Sequence, residues 1–447
     1  ATPGWAQKES VSLSFPDDLR DAYNFAAESA RRFKGKVAAW EVWNEPDISP
    51  FSDELGDSYS ALLKAMYLGF KSADPDLPVL LCSFAMSPGG FAETVFQNDI
   101  RDYFDIYNYH IYDKWENHAG RALKHIEIMR RYGLEKPIWL TEAGCPITRV
   151  PDSVEITSEQ GRDVAEFLPK AVVSSLSAGV DKYFWFIMPY YRERDTMLFG
   201  LLHGDMTPTP GYCALSACTY ALGKASYIGK LDIADIHAHA FDRGDNEIAL
   251  AFWTEESKRT LRLRVGIEKA TLINLMGSEM GISARDGILE LEATPSVKYL
   301  ILPANSLRDT LKTYQAREKP EIKPCDPETV SRIVLRLQFP RESRDKGSET
   351  YMLSGNSPTK VKVDMYNFGK SQFICKLKPQ PPQGWKFKLD SDSVVISSMG
   401  REEKEIELSP ISGASSDPVP VRVDLINSAG KVETFTLARV TVGQRKT

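Results

Sequence analysis

Two glutamates in this sequence stand where a carboxylate is unexpected. Glu45 closes the run VAAWEVWNEP and Glu142 closes PIWLTEAGCP, each after apolar, β-branched and aromatic residues that read as a buried strand. A glutamate at a strand end is ordinarily the solvated start of a loop. Two of them on separate parallel strands, with two βα units between, would share one rim and converge across its mouth. Such a pair can divide one reaction, one acid protonating a leaving oxygen while the other attacks or stabilises an anomeric carbon, the chemistry of glycosidic bond cleavage. Other polar side chains also fall at strand ends: Asn44, His110 and Tyr112 in FDIYNYHIYD, and Thr141. His110 and Tyr112 are two apart and face the same way on a pleated strand. Trp185, in KYFWFIMPYY, reads either as core or as a flat indole that stacks on a pyranose.

The elements that must position these residues alternate. Leu19, Ala22, Tyr23, Ala26, Ala30 and Phe33 give one apolar helical face, with Asp17 as N-cap. The run ending in Glu45 follows, then helices around 59–70, 91–101, 120–132, 164–172 and 211–222, separated by PVLLCSFAM, FDIYNYHIYD, PIWLTEAGCP and KYFWFIMPYY. Steps of about 30 residues or more between strands match βαβ units and a parallel sheet. Five parallel strands need both faces covered, so they form an open doubly wound sheet or part of a closed barrel. The open sheet predicts a glycine-rich phosphate loop after an early strand, and SPGG at 87–90 lacks the GxGxxG pattern, so the barrel is favoured. Strict alternation would put Asn44 and Glu45 on opposite faces, so both reach one site only if the strand end bulges or bends.

Composition narrows the partners. A net charge of -6 and the lack of a long basic run argue against nucleic acid, and an uncharged, sugar-like partner fits better. No window approaches about 18 uninterrupted apolar residues, so no membrane span is expected. The six cysteines (82, 145, 213, 218, 325 and 375) are dispersed without CxxC pairs, which indicates neither a zinc site nor a disulfide framework; no metal or cofactor is expected.

The order WEVWNEP, then HIY, then WLTEAG on successive strands resembles clan A of the retaining glycoside hydrolases, and the wording WEVWNEP is most similar to family thirty-nine, with similar features in family five. The resemblance covers about residues 1–225. It implies Glu45 as acid/base at the end of the fourth strand and Glu142 as nucleophile at the end of the seventh. It also implies that Asn44 bonds the sugar 2-hydroxyl, Tyr112 hydrogen-bonds Glu142, His110 lines the subsite and Trp185 is its floor. On that count the chain holds strands four to eight of a (β/α)8 TIM barrel, and ATPGWAQ resembles the loop after the third strand. The first three units are then expected from a preceding segment or a companion chain, and NFG followed by PPQGW resembles the immunoglobulin-like modules appended to secreted glycosidases, which implies a secreted or periplasmic location. The alternative is a non-catalytic carbohydrate-binding or scaffold protein built on a degenerate barrel.

Beyond the barrel (1–225) the texture becomes all-β. IALAFWT, TLRLRVG, ATLINLM, GILELE and VKYLILP read as a β-sandwich over 226–305, and QAREKPEIKPCDPE lies in a linker over 306–329. Residues 330–447, with KVKVDMYNFG and QPPQGWKFKLD, read as an immunoglobulin-like sandwich, a spacer unless Trp385 is a sugar platform.

Overall fold

In the computed structural model, residues 2–7, 13–150, 153–307, 311, 320–323, 329–355, 357–411 and 417–443 are described. Parallel strands alternate with helices as far as Leu222, interrupted by a three-stranded antiparallel sheet between residues 147 and 199, and largely antiparallel sheets follow. Helix α1 (Leu19–Arg32) buries Leu19, Ala22, Ala26 and Ala30 on one face. Its cap is Asp18, one residue past the expected Asp17, because the Asp18 carboxylate accepts the Arg20 N–H at 2.9 Å. The next elements are β1 (Trp40–Glu41), α2 (Gly56–Ala73), β2 (Val79–Leu80), α3 (Gly90–Gln97), β3 (Tyr107–Ile111), α4 (Glu116–Arg131) and β4 (Ile138–Ala143). They are followed by β5 (Ile147–Thr148), α5 (Ser158–Ser177), β6 (Lys182–Trp185), β7 (Tyr191–Glu193), β8 (Met197–Phe199) and α6 (Pro210–Leu222). Most of the expected linker, and Cys325 within it, lie outside the described residues.

The chain divides into two compact units, Ala1–Tyr109 with Glu127–Pro137 and Glu321–Thr447, and His110–Ile126 with Ile138–Pro320; the division falls inside β3 and α4. In the first unit β1 runs parallel to β2, Trp40 opposite Val79 and Glu41 opposite Leu80. The parallel bridges Leu80 to Ile106 and Phe84 to Tyr109 continue the sheet. Only two residues of VAAWEVWNEP form the regular ladder, fewer than the apolar run led one to expect.

Helix α2 is buried from Gly56 to Lys71, on every side rather than along one stripe. The C-terminal β-sandwich covers it: the strand Ile333–Gln338 lies against α2, and Leu55 belongs to that sandwich's core. Leaving the acidic N-terminal end of α2 buried requires partners, and the sandwich supplies them. Arg336 donates to the Pro16 carbonyl at 2.7 Å and to Glu54 at 3.4 Å, Arg344 reaches Glu54 at 3.0 Å, and the Tyr351 hydroxyl lies 3.1 and 3.2 Å from the two Asp57 oxygens. Trp385 is buried in the sandwich core beside Val361, Ile406 and Leu408, which corrects its reading as a possible surface platform for sugar.

In the second unit the strand Glu247–Trp253 is buried on both faces. Ala249, Ala251 and Trp253 join Val164, Leu168 and Leu222 of α5 and α6. Ile248, Leu250 and Phe252 face Leu261, Leu263 and Leu289 of a two-stranded antiparallel ribbon. The near-continuous apolar run IALAFW is therefore the middle layer of three, and its period of two is split between two cores. Among the described residues no helix is long and apolar enough to cross a membrane.

Burial pushes the Asp57 carboxyl up to about 7 from an ordinary 3.8, while the Tyr351 hydroxyl pulls the other way. Between those values the folded chain keeps a proton that the unfolded chain has released, so this contribution to stability is complete below the lower value and is lost as pH rises to the upper one. Denaturant midpoints from about pH 5 to about pH 7 should therefore fall more steeply for the wild type than for Asp57→Asn. Equal slopes would remove Asp57 as the source.

Candidate active site

In the first unit, the segment carrying Asn44 and Glu45 starts where β1 and β2 stop pairing regularly. Tyr59 of α2, fully buried, fills the gap: its hydroxyl donates to the Val42 carbonyl at 3.1 Å and accepts the Cys82 N–H at 2.7 Å. Just beyond, Trp43 and Glu45 adopt positive φ, 71° and 44°. A non-glycine residue in that region is strained unless its surroundings hold it there. Ser83 does part of the holding, because its hydroxyl accepts the Glu45 N–H at 3.2 Å and donates to Asn44 Oδ1 at 3.3 Å. The expected departure from strict alternation is thus a bend at 43–45, and Glu45 is 7% exposed. Asp47 fixes the next loop, its two carboxylate oxygens accepting the Ala85 and Met86 N–H groups at 3.0 and 2.9 Å. Burial raises the Asp47 carboxyl above its usual range, these N–H groups oppose the shift, and the charge of Glu45 adds to it.

In the second unit, β4 pairs in parallel with β6, Trp139 opposite Lys182 and Leu140 opposite Tyr183. The register then shifts before Ala143 meets Trp185, so Thr141 and Glu142 sit on an irregular strand end. His110 touches both of these successive side chains. Its Nε2 lies 3.1 Å from Thr141 Oγ1 and its Nδ1 3.8 Å from Glu142 Oε2. The Tyr112 hydroxyl donates to Glu142 Oε1 at 2.5 Å, a short bond of the kind a carboxylate acceptor makes. Tyr112 is held edge-on by Phe186 and Phe199, with ring centroids at 6.3 and 6.0 Å. Gly144 is needed for this packing, since a Cβ there would stand 2.6 Å from the Phe186 carbonyl oxygen and 3.0 Å from the Tyr112 ring.

His110, Tyr112 and Glu142 are therefore brought together, as are Asn44 and Glu45 through Ser83. Trp185 lies in register with Ala143, one residue past Glu142, and packs edge-on to Phe167 at 6.2 Å and against the apolar cluster of α5 and α6. Reading the sequence missed Ser83, Asp47, Tyr59, Thr141 as a partner of His110, and Gly144. Ser83 carried a signal, a lone hydroxyl inside the apolar run PVLLCSFAM. Tyr59 carried none, since its position matches any other on an apolar helix.

Two predictions follow from these contacts. Asp47→Ala should lower stability by about 1 to 3 kcal/mol and speed hydrogen exchange at the Ala85 and Met86 amides; unchanged exchange would mean that the carboxylate does not hold the loop. Gly144→Ala should displace the Tyr112 ring, which an aromatic ring-proton shift in NMR spectra would report, and identical ring shifts would contradict the packing argument.

Residues 42–209 match the family model described as the glycosyl hydrolase catalytic core. No curated protein matches the chain. Among solved structures it is similar to a family 39 glycoside hydrolase from the gut symbiont Bacteroides cellulosilyticus WH2, at 21% identity and a TM-score of 0.52, over 64% of this chain and 63% of that one. It is also similar to a glucosidase from Croceicoccus marinus, at 15% identity and a TM-score of 0.50, over 65% of this chain and 75% of that one. The chain thus spans about 63% of the length of the first of these structures, and at such identities the likeness is one of fold.

Proposed function

We propose that this chain is a retaining glycoside hydrolase that cleaves an oligo- or polysaccharide through a covalent glycosyl-enzyme intermediate, with Glu142 as nucleophile and Glu45 as acid/base. In this reading residues 1–225 are strands four to eight of a (β/α)8 barrel, and the sandwiches at 226–305 and 330–447 are its appendages. The observation that carries it is the 2.5 Å hydrogen bond from Tyr112 to Glu142 at a strand end where the register shifts. A carboxylate on a solvated loop start has no need of either. The match of residues 42–209 to a glycosyl hydrolase core supports a carbohydrate as the substrate.

The roles follow from the chemistry. In the first step Glu142 attacks the anomeric carbon while Glu45 gives its proton to the departing oxygen, so the glycosidic bond breaks as an ester to Glu142 forms. In the second, Glu45 takes a proton from water, the water oxygen attacks the anomeric carbon, and Glu142 leaves as a carboxylate. Tyr112 donates to Oε1 and fixes the rotamer of the nucleophile, leaving Oε2 to attack. Asn44 accepts from Ser83 through Oδ1, and in this reading its amide N–H groups serve the sugar 2-hydroxyl. His110 lines the subsite and Trp185 provides its apolar floor.

Activated 2-fluoro glycosides of several sugars should leave a covalent label on the peptide containing Glu142. No label and no turnover across the panel would favour a non-catalytic carbohydrate binder. Glu45→Ala should slow substrates with poor leaving groups far more than activated aryl glycosides, and equal losses would count against its role. Tyr112→Phe, which removes one hydrogen bond to a charged group, should lower kcat/KM by about tenfold to about a hundredfold with little change in melting temperature. An unchanged kcat/KM would remove Tyr112 from the mechanism.

A further inference from the structure

A cavity of about 290 Å³ lies in the first unit between the loop after β2 and the turn Lys346–Glu349 of the C-terminal sandwich. We infer that it is the leaving-group subsite, built jointly by the two parts, and that it receives a neutral sugar residue of the chain being cleaved. The inference rests on Glu45 being the proton donor.

A donor must stand beside the oxygen it protonates, so the departing sugar lies against the segment that carries the donor. Asp47, two residues beyond Glu45, is in the cavity wall. The opposite wall is tied to the same segment: the Lys346 ammonium donates to the Pro46 carbonyl, and to the Glu54 carbonyl at 2.8 Å. Glu349, 5% exposed, uses Oε2 to accept the Gly56 N–H at 3.3 Å, while its buried Oε1 makes no hydrogen bond among the described residues. A buried carboxyl oxygen left over at a cavity is a group waiting for a hydroxyl. SPGG, the stretch that fails as a phosphate loop, lines the space. Nothing but a carbonyl oxygen at 3.8 Å stands near a Cβ built on Gly89, and one on Gly90 would press on Glu349 at 3.2 Å.

The lining suits an uncharged, hydroxyl-rich ring. Burial pushes the Glu349 carboxyl up to about 8, with the Lys346 charge opposing it, which favours the neutral form that can both donate and accept. The remaining charges, Lys346 and Asp47, are of opposite sign. Phe84, Phe91 and the exposed Met86 add the apolar surface that the face of a pyranose meets.

Ser348 is an exposed wall residue, so Ser348→Trp should fill the cavity without unfolding the sandwich, and Met86→Trp should fill it from the other side. The readout is the ratio of kcat/KM for an oligosaccharide to that for the glycosyl fluoride of the same sugar, since fluoride needs no sugar subsite on departure. We expect this ratio to drop by about tenfold or more in both variants. A ratio unchanged in variants that melt like the wild type overturns the subsite while leaving Glu45 and Glu142 in place. A wild type that hydrolyses neither substrate across a panel of sugars overturns the catalytic reading instead, and the leaving-group subsite with it.

Discussion

A pair of parallel strands inside a fold can abandon its ladder only where another group takes over the backbone hydrogen bonds. The Tyr59 hydroxyl is that group. It joins the Val42 carbonyl to the Cys82 N–H, and immediately past it the chain bends through Trp43 and Glu45 at positive φ. Without it, a polar gap would open in the sheet where Asn44, Glu45 and Ser83 need a fixed backbone. Since Tyr59 comes from α2, the order of this strand end depends on the burial of that helix, and hence on the sandwich that covers it.

The two candidate carboxylates are handled alike in their separate units. Glu45 lies in a bend and Glu142 within a register shift, and each is met by a short polar side chain or a phenol from beside a neighbouring strand. Irregular backbone of this kind re-aims a side chain that strict alternation would turn to the other face. It costs local stability, and the surrounding packing offsets that cost: Tyr112 by Phe186 and Phe199, Tyr59 by Phe15 and Phe91.

Much of this was legible in the residues. Alternating runs and helical stripes located the parallel strands and helices, and the placement of Glu45, His110, Tyr112 and Glu142 at strand ends was visible in WNEP, HIY and TEAG. Strand length was not, because an apolar run such as VAAWEVW reads the same whether it pairs along its length or leaves the sheet after two residues. The burial of α2 was hidden too. Its acidic start, Glu54 and Asp57, looks solvated until Arg336, Arg344 and Tyr351, 282 to 294 residues later, are folded onto it. Trp385 misled for a similar reason, since one tryptophan in a strand carries no sign of which face it takes.

The central claim is a double displacement at one carbon, and the configuration of the first-formed product tests it most directly. Proton NMR during the first minutes of hydrolysis, before mutarotation, should show the anomeric configuration of the substrate retained in the product. An inverted product would require direct attack by water, with no ester at Glu142, and would contradict the account.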